Sequence, residues 1–325
     1  MNIIEHGRML AVQQLFTTSG FISAWPTWKT EIQRQFHSTS SPTNQEILDI
    51  GDRLRDIFRT TGQAGRSQSA VSGGGANWEA LVCWYLNLCT SNRRTLVIKH
   101  NRNLIPKAVN EAITVNYGNF RSNTESDLIA ITFPDRPEYS IDKNNISITD
   151  SHNQLIPTYK PTRRNPNPPY NYLEILNALV ERDFNDLEIH IIQCKTNWND
   201  NAQIPMLWDA IYSASNFRNG ISVGTNGKSI QNIYRFTYSF VTVPSNQLLN
   251  NNGNPAYNIN STSVLRVANL SGGNYWGLPS QQGVASSIKE LVSRNLSSGN
   301  RLNALTTIAT TIPSLTTSYN YFDLI

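Results

Sequence analysis

The spacing of apolar and polar positions changes several times along the chain, and each change marks an expected element. Over residues 1–60, Met9, Leu10, Val12, Leu15 and Phe16, and later Ile47, Leu48, Ile50, Leu54, Ile57 and Phe58, recur at helical intervals. Trp25-Pro26 and Ser40-Ser41-Pro42-Thr43 are expected to break this layer into pieces. Residues 62–75, rich in Gly, Ser and Gln and ending in Ser72-Gly73-Gly74-Gly75, read as a loop feeding a helix over 76–90. Residues 95–99 read as a strand, 104–115 as a short helix and 127–133 as a second strand. Residues 134–172 hold many of the prolines and read as an insertion with one hairpin near 146–149 and 155–156. A helix over 171–182 then leads to an apolar strand over 187–195, followed by a helix over 203–215. Residues 220–243 read as β, with Tyr234, Phe236, Tyr238, Phe240 and Val241 in near alternation. The Asn- and Ser-rich remainder carries one expected helix, near 283–295.

This order predicts an α/β (α+β) protein with a mixed central β-sheet flanked by helices. The expected parts are a helical N-terminal layer over 1–70, a core over 71–245 with its insertion near 134–172, and a β-rich C-terminal extension over 246–325 packed on the core. No internal repeat is visible.

Within this frame a few polar residues stand where packing gives them no role. Gln193 and Lys195 alternate onto one face at the end of an apolar strand. An amide and an ammonium side by side suit an anion, or a metal-bound anion, above the strand end. The plainer alternative for Lys195 is a snorkelling side chain. Asp127 opens the other strand and can hold a cation, or it can be an ordinary solvated strand-end acid. Glu79 lies in the expected first turn of the 76–90 helix, on the border of the face made by Trp78, Leu81, Val82, Tyr85 and Leu86. It can complete a metal site or simply complement the helix dipole. Asp150, Asp186, Glu125 and Glu188 are weaker substitutes. The Cys194 backbone carbonyl lies between the two strand-end residues.

The succession of Glu79, then Ser126-Asp127-Leu128-Ile129, then Gln193-Cys194-Lys195-Thr196-Asn197-Trp198 resembles the PD-(D/E)xK nuclease superfamily, in the form found in bacterial type II restriction endonucleases. The resemblance covers roughly the middle third of the chain. It departs from the family twice: a glutamine replaces the last acid, and 66 positions separate Asp127 from Gln193 where the family usually has a short hairpin. It implies a restriction-endonuclease-like core with Glu79, Asp127, Gln193 and Lys195 as catalytic residues. It implies Mg²⁺ held by Asp127, Glu79, Gln193 and the Cys194 carbonyl. The implied reaction is in-line attack of water on double-stranded DNA at a specific short sequence, leaving 5′-phosphate ends. A homodimer on a near-palindromic site and a cognate DNA methyltransferase are the implied partners. Two rivals stand beside this reading: a structure-specific repair or resolvase nuclease, and a non-catalytic DNA-binding protein on a nuclease-like core.

Composition adjusts the picture only slightly. The chain of 325 residues has a net charge of +4, compatible with nucleic acid. Lys160, Arg163 and Arg164, in a basic proline-stiffened loop, and Asn197 are the candidate DNA contacts. Three cysteines without metal-ligand spacing suggest reduced thiols in a cytoplasm, which the resemblance implies is bacterial, and no membrane-length apolar run or signal peptide is visible. Gly224-Thr225-Asn226-Gly227-Lys228-Ser229 mimics a phosphate-binding loop, but Ser222 stands where the first glycine belongs and a strand pattern follows, so it reads as a turn between strands.

Overall fold

The computed structural model describes residues 1–61, 68–122, 126–161, 166–196, 203–214, 216–217, 220–243, 248–249, 255–256, 274–275, 287–296 and 304–325. Its centre is a mixed sheet. Strand β1 (Thr95–Lys99) pairs antiparallel with β4 (Leu128–Thr132), and β4 pairs antiparallel with β5 (Glu188–Lys195). β8 (Arg235–Thr242) lies parallel to β5, and the two-residue β11 (Asn274–Tyr275) lies parallel to β8. A smaller antiparallel sheet has the order β3 (Phe120–Ser122), β2 (Val115–Tyr117), β7 (Ile221–Val223), β6 (Asn216–Phe217). The molecule is thus α/β in the mixed, α+β sense.

β5 explains why the sheet is central. Seven of its eight residues are buried, the continuous pattern of a strand covered on both faces. On one face Val97, Leu128, Ala130, Ile192, Cys194 and Val241 join the core of α3 (Asn44–Arg59) and α4 (Gln68–Cys89). On the other, Leu96, Ile98, Ile129, Ile131, Ile189, Ile191 and Tyr238 pack with α5 (Lys107–Ile113), α6 (Tyr172–Arg182) and α7 (Gln203–Ala214). Each aliphatic side chain so buried contributes roughly 1.5–3 kcal/mol relative to exposure.

The N-terminal layer comprises α1 (Ile3–Leu15), α2 (Ser19–Gln33) and α3. A capping box between Thr43 and Glu46 starts α3. The break expected at Trp25-Pro26 does not occur, because α2 runs through Pro26. An interior proline costs about 3 kcal/mol. Aromatic packing around it offsets this: Trp25 stacks on Phe21 at 5.4 Å, meets Trp84 at 4.9 Å and donates Nε1–H to Asp323 at 2.7 Å. The glycine run expected as a loop is also helical, since α4 begins at Gln68. The fully buried stretch through Trp78, Leu81, Val82 and Trp84 anchors the helix on the sheet. Glu79 therefore sits well inside α4 and not in its first turn.

Two other expectations need amendment. The segment read as an insertion contributes to the core: Tyr139 stacks on Phe133 at 5.1 Å and donates its hydroxyl to Asp183 at 3.0 Å, while Ile146 and Ile148 are buried. The 220–243 run holds β7 and β8 with a turn between them, where Gly224 (φ +99), Asn226 (φ 51) and Gly227 (φ 76) take left-handed conformations. The described residues beyond 246 hold the two-residue strands β9 (Leu248–Leu249), β10 (Pro255–Ala256) and β11, and also two helices, α8 (Lys289–Arg294) and α9 (Ala304–Thr311). The chain end closes on the helical layer, where Trp84 Nε1–H donates to the Phe322 carbonyl at 2.9 Å. Among the described residues no helix is long and apolar enough to cross a membrane.

Candidate active site

The polar cluster forms where β4 begins and β5 ends. Leu128 is opposite Ile192, so the next step along the antiparallel register sets Asp127 against Gln193. The His100 N–H donates to the Asp127 carbonyl at 3.2 Å and extends the pairing on the β1 side. The 66 intervening positions do not separate the two strands: α6 and the 3-10 turns of 134–187 pack against the sheet while β4 and β5 remain neighbours.

Asp127 does two things. Its Oδ2 accepts the Cys194 backbone N–H at 2.7 Å, a charge-assisted bond that caps the ladder where β4 stops. The same oxygen lies 4.0 Å from the Lys195 Nζ. The side chains of Asp127 and Lys195 remain 16% and 28% exposed, so a ligand can reach the pair. Because the N–H and C=O of one strand residue lie on the same edge, the Cys194 carbonyl is presented on the Asp127 side.

Gln193 is completely buried. Its Oε1 accepts the Tyr238 hydroxyl, while its Nε2 has no hydrogen-bond partner among the described residues. Thr242, opposite Lys195 in the β5–β8 register, also holds a buried hydroxyl without a partner among the described residues. Tyr238, Thr242 and His100 are neighbours that sequence reasoning missed. Tyr238 stood out only as one member of an alternating strand, and nothing in the pattern reveals that β8 lies beside β5.

Glu79 reaches the same end of the sheet from the other layer. It pairs with Lys99 at 3.2 Å, and the Lys99 ammonium also donates to the Ala76 carbonyl at 2.8 Å. Lys99 closes β1 on the face covered by α4, whereas alternation puts Gln193 and Lys195 on the opposite face. Burial pushes the Cys194 thiol well above its ordinary value, and the negative charges of Asp127 and Glu79 add to that shift. Both carboxylates therefore act on the peptide segment between Gln193 and Lys195. The thiol is a neutral core group.

The substitute acids have other occupations. Asp150 accepts the N–H groups of His152 and Gln154 in a turn, and Asp186 pairs with Arg136 at 2.6 Å. Glu188 lies at the far end of β5; Glu125 falls outside the described residues. Lys160 is exposed at the base of its loop, with its N–H on the Pro169 carbonyl at 2.9 Å. Arg163, Arg164 and Asn197 lie outside the described residues, as does Trp198. The Gly224–Ser229 turn directs its amides inward: the Gly224 N–H donates to the Thr114 carbonyl at 2.8 Å and the Thr225 N–H to Glu111 at 3.1 Å. Those donors do not face a ligand.

The donor set fits one hard cation. Asp127 offers a carboxylate and Cys194 a carbonyl on one edge, and Mg²⁺ takes one or two carboxylates and completes its shell with water and substrate phosphate. Gln193 offers a cation its oxygen once the amide turns over, with Nε2 donating to the Tyr238 oxygen; the unpartnered atom is then Oε1. Among the described residues no three His, Cys, Asp or Glu side chains converge as a metal-binding group. A set of one acid, one amide and one backbone carbonyl does not contain such a trio. No protein-family model matches the chain, and no curated protein matches it.

Proposed function

We propose that the protein is a Mg²⁺-dependent endonuclease that cleaves double-stranded DNA at a short specific sequence. The observation that carries this reading is the meeting of Asp127 and Lys195 at the open end of two adjacent strands, with the acid fixed by the Cys194 N–H.

The Lys195 ammonium faces the place where a phosphodiester would approach Asp127, and offsets the charge that builds on the phosphoryl oxygens. It also offers a donor that orients the attacking water. The water oxygen forms the new P–O bond as the bond to the 3′ oxygen breaks, and the proton lost by water is balanced by protonation of the leaving 3′ oxygen. The products are 5′-phosphate and 3′-hydroxyl ends. A cation at Asp127 and the Cys194 carbonyl would supply Lewis-acid polarisation of the phosphate. Asp127 stays anionic throughout, positioned by its backbone donor. Following the restriction enzymes that the motifs resemble, the reading includes a homodimer and a methyltransferase protecting the same site.

The test is incubation of purified protein with unmethylated phage DNA and Mg²⁺. Discrete fragments carrying 5′-phosphates are expected. A smear would replace site-specific restriction with a nonspecific or structure-specific nuclease, and intact DNA would favour a binding module.

A further inference from the structure

A second polar feature is a cleft of about 340 Å³ between the β2–β3 hairpin, the segment after β1, α5 and the Gly224–Ser229 turn. Arg102 and Arg121 line it together with Thr114, Thr225 and Asn226. Both arginines are exposed, and neither guanidinium makes an ion pair or hydrogen bond among the described residues. The acid among the described lining residues, Glu111, is already engaged by the Asn226 amide at 2.7 Å and by Lys107 at 3.9 Å. Among the described residues the two guanidinium groups thus have no compensating acid.

Its position ties it to the centre. Arg102 follows two residues after His100, whose N–H holds the Asp127 carbonyl and whose ring lies 3.4 Å from the Ser126 hydroxyl. Burial, and then the charge of Arg102, hold the His100 imidazole below its ordinary pKa. Arg121 lies on the edge strand β3, next to Phe120, whose ring is 66% exposed at the hairpin. Two planar cations lining one cleft, one of them two residues beyond His100, offer the fork geometry that phosphate oxygens accept.

We infer that Arg102 and Arg121 bind backbone phosphates of the DNA flanking the cleaved position, making this cleft the positioning surface of the enzyme. The inference rests on the proposed nuclease reading. The Gly224–Ser229 turn serves it as a wall: its backbone donors face α5, and its Thr225 and Asn226 side chains border the cleft.

The test is equilibrium binding of a short duplex to the full chain without divalent metal, over a series of salt concentrations. Phosphate contacts release counterions, with a slope of about 0.9 per phosphate in the log–log plot. R102A/R121A is expected to flatten that slope by about 2 and to weaken binding on the order of 10- to 100-fold at 0.1 M salt. R102K/R121K keeps the charge and is expected to keep the slope. Arg53 and Arg59, exposed on α3 in the opposite layer, give the control: R53A/R59A is expected to leave the slope unchanged. A wild-type protein that binds no duplex would overturn both the nuclease reading and this cleft. Wild-type binding with an unaltered slope in R102A/R121A would overturn the cleft alone.

Discussion

The two ends of β5 hold similar residues and differ in what surrounds them. At the first end Glu188 and His190 are 3% and 1% exposed. The Glu188 carboxylate lies 3.6 Å from His190 Nε2 and 3.6 Å from the Arg235 guanidinium, and His190 Nδ1 lies 2.6 Å from the Thr237 hydroxyl. The strand there is paired on both sides, with Thr132 and Arg235 as the register partners of Glu188. At the second end β4 has not yet begun, so a side-chain oxygen of Asp127 takes the Cys194 N–H in place of a backbone carbonyl. An acid and a base inside a complete ladder are structural. The same types where the pairing with β4 stops keep part of their side chains exposed. Residue type does not separate the two ends; continuity of pairing and access do.

Substitution at each end should break the likeness in different observables. Lys195→Ala and Asp127→Asn are expected to lower cleavage by about 10²- to 10⁴-fold, the range for loss of a positioned proton-transfer or electrostatic group. Duplex binding should change little, because backbone contacts elsewhere position the DNA. Glu188→Gln should do the reverse and leave cleavage near wild type. It should destabilise the fold by about 1–3 kcal/mol, since a buried charged acceptor is replaced among fixed partners. Single-turnover cleavage and thermal melting of the three variants decide the matter. Cleavage lost in Glu188→Gln with unchanged stability would place chemistry at the wrong end.

The closed end should also show in the pH dependence of stability. Burial holds the His190 imidazole below its ordinary value of 6.5, against a smaller upward pull from Glu188. Burial, and then the charges of Lys143 and the N-terminal amine, hold His6, packed edge-on against Tyr170, down to about 4. Between those pH values the unfolded chain binds protons that the folded chain refuses. Stability is therefore full above pH 6.5 and falls as the pH drops toward 4. His190→Gln removes one of the refusing groups, and its Tm is expected to decline less steeply over that window. An equal slope in variant and wild type would show that His190 titrates alike in both states.

Much of this contrast was legible in the chain. The apolar run over 187–195 identified β5, and alternation put Gln193 and Lys195 on one face. Asp127 was recognisable as the acid opening the neighbouring strand. What the pattern could not supply was adjacency. The Tyr238–Gln193 bond depends on β8 lying parallel to β5, which 39 intervening residues between Lys195 and Arg235 leave open. Arg102 and Arg121 come together only because the small sheet folds over α5. Local rules failed where tertiary packing overrode them: Pro26 inside α2 and the glycine run inside α4 are both carried by buried aromatic neighbours.

The smallest expected effect concerns Glu79, which belongs to neither end of the comparison outright. It stands at the open end of the sheet, on the face away from Lys195, and its carboxylate is committed to Lys99 at 3.2 Å. The pair is partly exposed, 21% on the acid and 27% on the lysine, so its loss should cost only about 0.2–1 kcal/mol of stability. Its charge nevertheless reaches Cys194, whose carbonyl shares an edge with Asp127. If the proposed cation binds beside a neutral Gln193, that remote charge would help to balance it without touching it. Glu79→Gln is therefore expected to raise the half-saturating Mg²⁺ concentration by a factor of about 2–5, the equivalent of a screened pair, while cleavage at saturating Mg²⁺ stays near wild type. A loss as deep as that of Asp127→Asn would make Glu79 a ligand in the centre itself. A Mg²⁺ titration identical to wild type would reduce it to an anchor that ties α4 to the end of β1.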